Sequence, residues 1–215
     1  KAMQEAGKRV VGDHFTLEGV EFAGRLDPLI WADGIARSGG DGDERLHDDF
    51  RAAYGEALAR RLTPRGVAYA LPGVPALLDA LEARPHTTLG LLTGNYPETG
   101  RVKLEAAGID PARFAVPVWG TDGPDRRSLL PVGLDRYEAL HGHALGPERV
   151  VVVGDTVHDI DCAHANGCVA LAVATGPSYV RADLEAHHPE LLLDDLTDAP
   201  GILRWLDRLP ARPGA

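Results

Sequence analysis

Val151-Val152-Val153-Gly154-Asp155-Thr156-Val157-His158-Asp159 (VVVGDTVHD) is the stretch on which the fold turns. A run of valines, bounded by glycine and polar residues, reads as a strand buried on both faces, the kind a parallel sheet requires. Such a strand delivers Asp155 at its carboxyl end. Asp159 follows four residues later, one turn into the next helix, so both carboxylates can face one point. Mg²⁺ is a hard cation that accepts one or two carboxylates and leaves its other positions to water and phosphate oxygens. The same residues also suit a plain helix start, with Asp155 or Thr156 as cap and Asp159 in the first turn.

Outward from this stretch, strands and helices alternate. Residues 73–83 repeat apolar positions at helical spacing through Val74, Leu77, Leu78 and Leu81. Residues 87–93 (TTLGLLT) form a short apolar run suited to a buried strand. Residues 97–107 read as a helix that starts at Pro97 and stops at Gly108. Strands are predicted at 114–119, 150–153, 168–174 and 191–193, and helices at 129–141, before Gly167, and at 203–209, with a tail at 210–215. The alternation predicts an α/β fold, a three-layer Rossmann-like parallel sheet core. In such sheets ligands lie beyond the carboxyl ends of the strands. Those ends read Thr93-Gly94-Asn95, Trp119-Gly120-Thr121-Asp122, Gly154-Asp155-Thr156 and Thr175-Gly176-Pro177, all small or polar.

Residues 14–72 have a different texture. Residues 15–22, 26–37 and 46–61 read as helical, separated by a Gly-rich turn at 38–43, and no strand stands out. The predicted organisation is a core formed by residues 1–13 and 73–215, with an inserted all-helical cap at 14–72. Residues 1–11 read as a core helix ended by Gly12.

The chain has 215 residues, 44% hydrophobic and 25% charged, which is ordinary for a globular protein with one core and a small insert. Its formal charge of −10 argues against broad nucleic-acid binding, which phosphate neutralisation drives. Cys162 and Cys168 are too few for a disulfide framework and read as small, semi-buried residues. No leader and no membrane-length apolar run is evident. The expected setting is cytoplasmic, with a small phosphorylated substrate as partner, no nucleic acid and no membrane, as a monomer or homodimer.

Leu91-Leu92-Thr93-Gly94-Asn95 offers a hydroxyl and free backbone N–H groups at a strand end, which is what a phosphoryl group needs. Together with Gly154, Asp155 and Asp159 in a G-D-x-x-x-D pattern, it resembles the haloacid dehalogenase-like superfamily. Thr93 matches that family's second motif and the G-D-x-x-x-D its fourth. Residues 162–167 resemble the usual A-x-x-A-G continuation. Leu71-Pro72-Gly73-Val74 resembles the return from cap to core in phosphoglycolate phosphatase-like members. The likeness spans essentially the whole chain.

Two departures stand out. The third motif is a Lys or Arg, and no lysine follows Lys103; Arg126 is the best placed substitute, with Arg127 as the alternative. The first motif, a D-x-D-G-T whose first Asp is the nucleophile, is absent: Asp13 lacks a strand before it, and Asp41-Gly42-Asp43 lies in the turn at 38–43. The family places the nucleophile's strand mid-sheet, between the strands ending at Thr93 and Asp155. The expectation is that roughly twenty residues precede Lys1, enough for a strand, a turn and the start of a helix.

The resemblance implies phosphate-monoester hydrolysis through an aspartyl-phosphate. Thr93, Gly94 and Asn95 would hold phosphate oxygens, Arg126 would balance charge, and Asp155 with Asp159 would anchor Mg²⁺. Arg25 would reach the substrate from the cap. His158 reads as a solvated helix residue. Two alternatives stay open: a haloacid dehalogenase or phosphomutase of the same superfamily, or an inactive binding protein if the chain starts at Lys1.

Overall fold

The computed structural model describes residues 1–40, 42–63 and 67–209; Asp41 and the tail at 210–215 lie outside them. In chain order the elements are α1 (Ala2–Val11), α2 (Asp27–Arg37), α3 (Glu44–Leu62), α4 (Val74–Glu82), β1 (Gly90–Leu92), α5 (Pro97–Ala106), β2 (Val116–Val118), α6 (Arg126–His141), β3 (Val151–Gly154), α7 (Val157–Ala165), β4 (Val169–Val173), α8 (Arg181–Glu185), β5 (Leu191–Leu193) and α9 (Ala199–Leu206). No helix among the described residues is long and apolar enough to cross a membrane. The chain divides into two compact units. One is helical and comprises Lys1–Tyr69, Thr93–Arg113 and Trp119–Asp122; the other holds every strand and comprises Ala70–Leu92, Phe114–Val118 and Gly123–Ala215.

In the sheet unit all pairings are parallel, as expected for an α/β fold. β1 pairs with β2, while β3, β4 and β5 pair in that order. Among the described residues, β1 and β3 each keep one edge without a strand partner. The β3 valines do not all share the burial expected of a central strand: Val152 is buried, but Val153 is 46% exposed. α6 packs on β1, β2 and α7. It begins at Arg126, earlier than the apolar spacing suggests, because Asp125 and Ser128 close a capping box over its first turn. Pro131 lies inside α6 and cannot donate to the carbonyl of Arg127. The Asn166 amide Nδ2 donates to that carbonyl instead, at 3.0 Å.

The helical unit has an aromatic core. Phe15, Trp31, Phe50, Tyr54 and Tyr96 are all buried, with the Trp31 and Phe50 rings stacked 4.1 Å apart. α1 packs on α3 through Ala2, Met3 and Ala6. Residues 15–22, expected to be helical, contain no helix. The Phe15 ring fills a slot left by two glycines: a Cβ on Gly7 would come within 2.0 Å of it, and one on Gly34 within 2.7 Å. The Gln4 side chain then accepts from Leu17 N–H and donates to Phe15 O, holding the segment open (2.9 and 2.7 Å). Burying Phe15 and Leu17 in this way outweighs helix formation. The last helix also differs in register from its expected 203–209, because the Asp198 cap starts it at Ala199.

Candidate active site

In the sheet unit the structure brings Asp155, Asp159 and Arg126 together. β3 ends at Gly154, and Asp155 follows. Thr156 caps α7 in a reciprocal box with Asp159: its hydroxyl donates to Asp159 Oδ2 at 2.8 Å, and its N–H donates to the same oxygen at 3.1 Å. The Arg126 guanidinium donates to Asp159 Oδ1. Both oxygens of Asp159 are therefore engaged, one by the cap and one by a cation from α6. Gly154 is needed here, since a Cβ on it would lie 2.2 Å from the Asp159 carboxyl carbon. Gly176 has the same relation to Asp155, with a Cβ reaching 2.3 Å from its Oδ2.

Burial raises the Asp155 carboxyl above the ordinary carboxylate range, and the neighbouring Asp159 charge adds to this, while Arg126 works against it. A divalent cation would relieve that repulsion. Among the described residues no group of three or more His, Cys, Asp or Glu forms a metal cage. The donor set is thus one or two carboxylates at a strand end, which suits Mg²⁺, an ion that keeps several waters. Of the two carboxylates, Asp159 already serves Thr156 and Arg126.

Arg126 and Arg127, left as alternatives by the sequence, separate here. Arg127 is mostly exposed and faces Asp161 at 3.4 Å, whereas the Arg126 side chain is 16% exposed. Arg126 Nε is buried without a hydrogen-bond partner among the described residues. An orphan donor of this kind calls for an acceptor such as a ligand oxygen. The Cys162 thiol contributes something the sequence did not reveal: it donates to Arg126 O at 3.2 Å, so α7 holds Arg126 by backbone and side chain at once. Both cysteines are free and buried, and burial pushes each thiol up to about 11. His158 faces the Tyr179 hydroxyl at 3.3 Å.

In the helical unit, Thr93-Gly94-Asn95 forms a tight loop before α5. Thr93 Oγ1 accepts from Asn95 Nδ2 at 2.6 Å and from Asn95 N–H at 3.2 Å. With two donors on its oxygen, the hydroxyl keeps its own proton to give. Gly94 is packed on backbone: its carbonyl accepts from Asp27 N–H at 2.6 Å, and a Cβ on it would sit 2.2 Å from Arg25 O. Gly120 closes on the same loop, donating from its N–H to Asn95 O at 2.8 Å. The Arg25 main chain thus lies against Gly94, while its guanidinium is paired with Asp33. Sequence reading passed over Lys103 and Asp27. Lys103 donates to Asn95 Oδ1, and buried Asp27 accepts from Tyr96 N–H at 3.1 Å and from the Thr99 hydroxyl at 3.3 Å.

Replacing Gly94 by Ala is expected to force the Arg25 backbone off the loop, because neither contacting partner is a flexible side-chain end. The expected cost is about 1–3 kcal/mol of overpacking, read as a lowered denaturation midpoint at unchanged m-value. A variant as stable as the parent would show that the loop does not need this approach.

Comparison with known proteins identifies the family. The family model described as haloacid dehalogenase-like hydrolase matches residues 5–164, and a second, HAD-hydrolase-like, matches residues 134–199. The chain is 32% identical over 162 residues to an imidazoleglycerol-phosphate dehydratase of Phytophthora nicotianae, covering 72% of this chain and 32% of that one. It is 26% identical over 160 residues to a phosphoglycolate phosphatase of Haemophilus influenzae, covering 74% of this chain and 66% of that one. The chain therefore spans from about a third to just under two thirds of these relatives' lengths. The crystal structure of a hydrolase from Pseudomonas syringae superposes with a TM-score of 0.66 at 17% identity, over 95% of this chain and 89% of that one.

Proposed function

The chain belongs to the haloacid dehalogenase-like hydrolase family, and from that premise we propose that it hydrolyses the phosphate monoester of a small metabolite, with Mg²⁺, through an aspartyl-phosphate. The observation that carries this reading is Asp155 at the end of β3, its carboxyl raised by burial and by Asp159, with Arg126 held beside Asp159. The phosphatase names among the relatives support the same chemistry.

Each residue has a role set by its own element. Thr93, at the start of its loop, donates its hydroxyl proton to a phosphoryl oxygen, and the Gly94–Asn95 backbone supplies further N–H groups. Arg126 offers Nε to an anionic oxygen and fixes Asp159, which in turn stiffens the turn carrying Asp155. Asp155, together with Asp159, would hold Mg²⁺. When bound, Mg²⁺ offsets repulsion between an anionic nucleophile and the phosphate. Arg25, held by Asp33, is the candidate for contacting the leaving group. The nucleophile would be an aspartate on a further strand pairing with β1 and β3, each of which has one edge without a strand partner among the described residues. Its carboxylate would attack phosphorus while the alcohol departs with a proton from a second Asp; that second Asp would then take a proton from the water that cleaves the acyl phosphate, restoring both aspartates and releasing inorganic phosphate. Residues 14–72 act as the cap that selects substrate.

The test is hydrolysis of an aryl phosphate by the full-length protein. Turnover is expected with Mg²⁺ and is expected to vanish in EDTA and return on adding Mg²⁺. Absence of turnover under every condition would remove the phosphatase reading. Turnover that EDTA does not change would remove the metal from it.

A further inference from the structure

Lys103 lies on α5, two turns beyond Asn95, and the chemistry above gives it no part. Its ammonium is withdrawn from water, and this desolvation lowers its pKa, while the Asp27 charge works the other way. It donates to Asn95 Oδ1. An amide whose oxygen sits on a cation has only its NH₂ end left to face Thr93, and that end is the donor observed at 2.6 Å from Thr93 Oγ1. A lysine thus dictates that the Thr93 hydroxyl accepts from Asn95 and gives its proton elsewhere. Phosphoryl oxygens only accept, so this is the polarity that phosphate binding needs.

Asp27, the acid that balances Lys103, is 6% exposed and also holds the loop itself. Its N–H donates to Gly94 O, and its carboxylate accepts from Tyr96 N–H. Asp27 acts on Lys103 through its charge, Lys103 donates to Asn95 Oδ1, and Asn95 donates to Thr93 Oγ1, all within the helical unit. The geometry points to Lys103 and Asp27 as positioning residues for phosphoryl binding: they lock the Asn95 amide so that Thr93 is presented as a hydrogen-bond donor. This rests on the phosphatase reading, in which Thr93 holds phosphate.

A purely structural role would look similar in a single variant, so the test uses three in the full-length protein: Lys103→Met, Asp27→Asn and the double variant. Each single change strands one buried partner, whereas the double removes both charges and is expected to recover most of the lost melting temperature. Inhibition by inorganic phosphate, and kcat and KM for an aryl phosphate, are measured well below the lowest melting temperature. In the double variant phosphate inhibition is expected to stay about 10–100-fold weaker than in the parent, as is usual when groups behind a ligand contact are lost. Parental phosphate inhibition in the double variant would overturn the inference and leave the phosphatase reading standing. A parent protein that neither turns over aryl phosphate nor is inhibited by phosphate would overturn both.

Discussion

Asp155→Asn is expected to lower Mg²⁺-dependent turnover by about 10³-fold, since metal anchoring supplies several kcal/mol of transition-state stabilisation and each 1.36 kcal/mol is tenfold in rate. The same change is expected to raise the melting temperature measured in EDTA. The sign follows from burial. Asp155 has a folded-state pKa above its unfolded value, mainly because burial and then Asp159 disfavour its charge. The folded state therefore holds the proton longer than the unfolded one, and stability falls as pH rises from the ordinary carboxylate range through the raised folded value. Asparagine carries no such penalty. The gap in melting temperature is expected to be small below the ordinary carboxylate range, where the Asp155 carboxyl is protonated in both the folded and unfolded states, and to widen as the pH rises through its raised folded value. Undiminished Mg²⁺-dependent activity would refute the metal assignment, and a pH-independent gap would refute its electrostatic cause.

Arg126→Met carries the largest expected stability effect. The ion pair is largely withdrawn from solvent, with side chains 16% and 7% exposed. Removing one member of a buried pair leaves the other uncompensated, at a cost of about 3–5 kcal/mol. For a chain of this length that lowers the melting temperature by roughly 10 °C. Asp159 would then face Asp155 without the cation that its Oδ1 accepts from. Adding Asp159→Asn to the variant is expected to restore most of the loss, because no charge is left stranded. A single variant within about 1 kcal/mol of the parent, the range of exposed pairs, would show that the pair is solvated.

How much of this was legible in the sequence follows from the range of each interaction. The strand ending at Asp155 and the helix after it are written within nine residues: a β-branched run, a glycine and a reciprocal cap at Thr156 and Asp159. The helix stops at Gly108 and Gly167 were equally local, both glycines sitting at positive φ (77° and 68°). Residues 15–22 were misread because what holds them is distant in the chain: Gln4 on one side and the space left by Gly34 on the other. Lys103 escaped notice for the same reason. Nothing near it in sequence marks a helical lysine as buried, and its acid, Asp27, stands far upstream. Arg126 was singled out as a phosphate-binding cation, but its pairing with Asp159 spans 33 residues and shows only in three dimensions.

The division of the chain bears on how the protein comes apart. The backbone passes between the helical and sheet units at 69/70, 92/93, 113/114, 118/119 and 122/123, five times in all. No single cut releases either one whole. A fragment ending at Tyr69 would keep most of the aromatic cluster but lose Tyr96, and with it the backbone group that Asp27 was built to receive. Interleaved segments of this kind couple the loss of one body to the loss of the other. Heat and denaturant should therefore meet one cooperative transition rather than two, and a protease should find no durable half-molecule to leave behind.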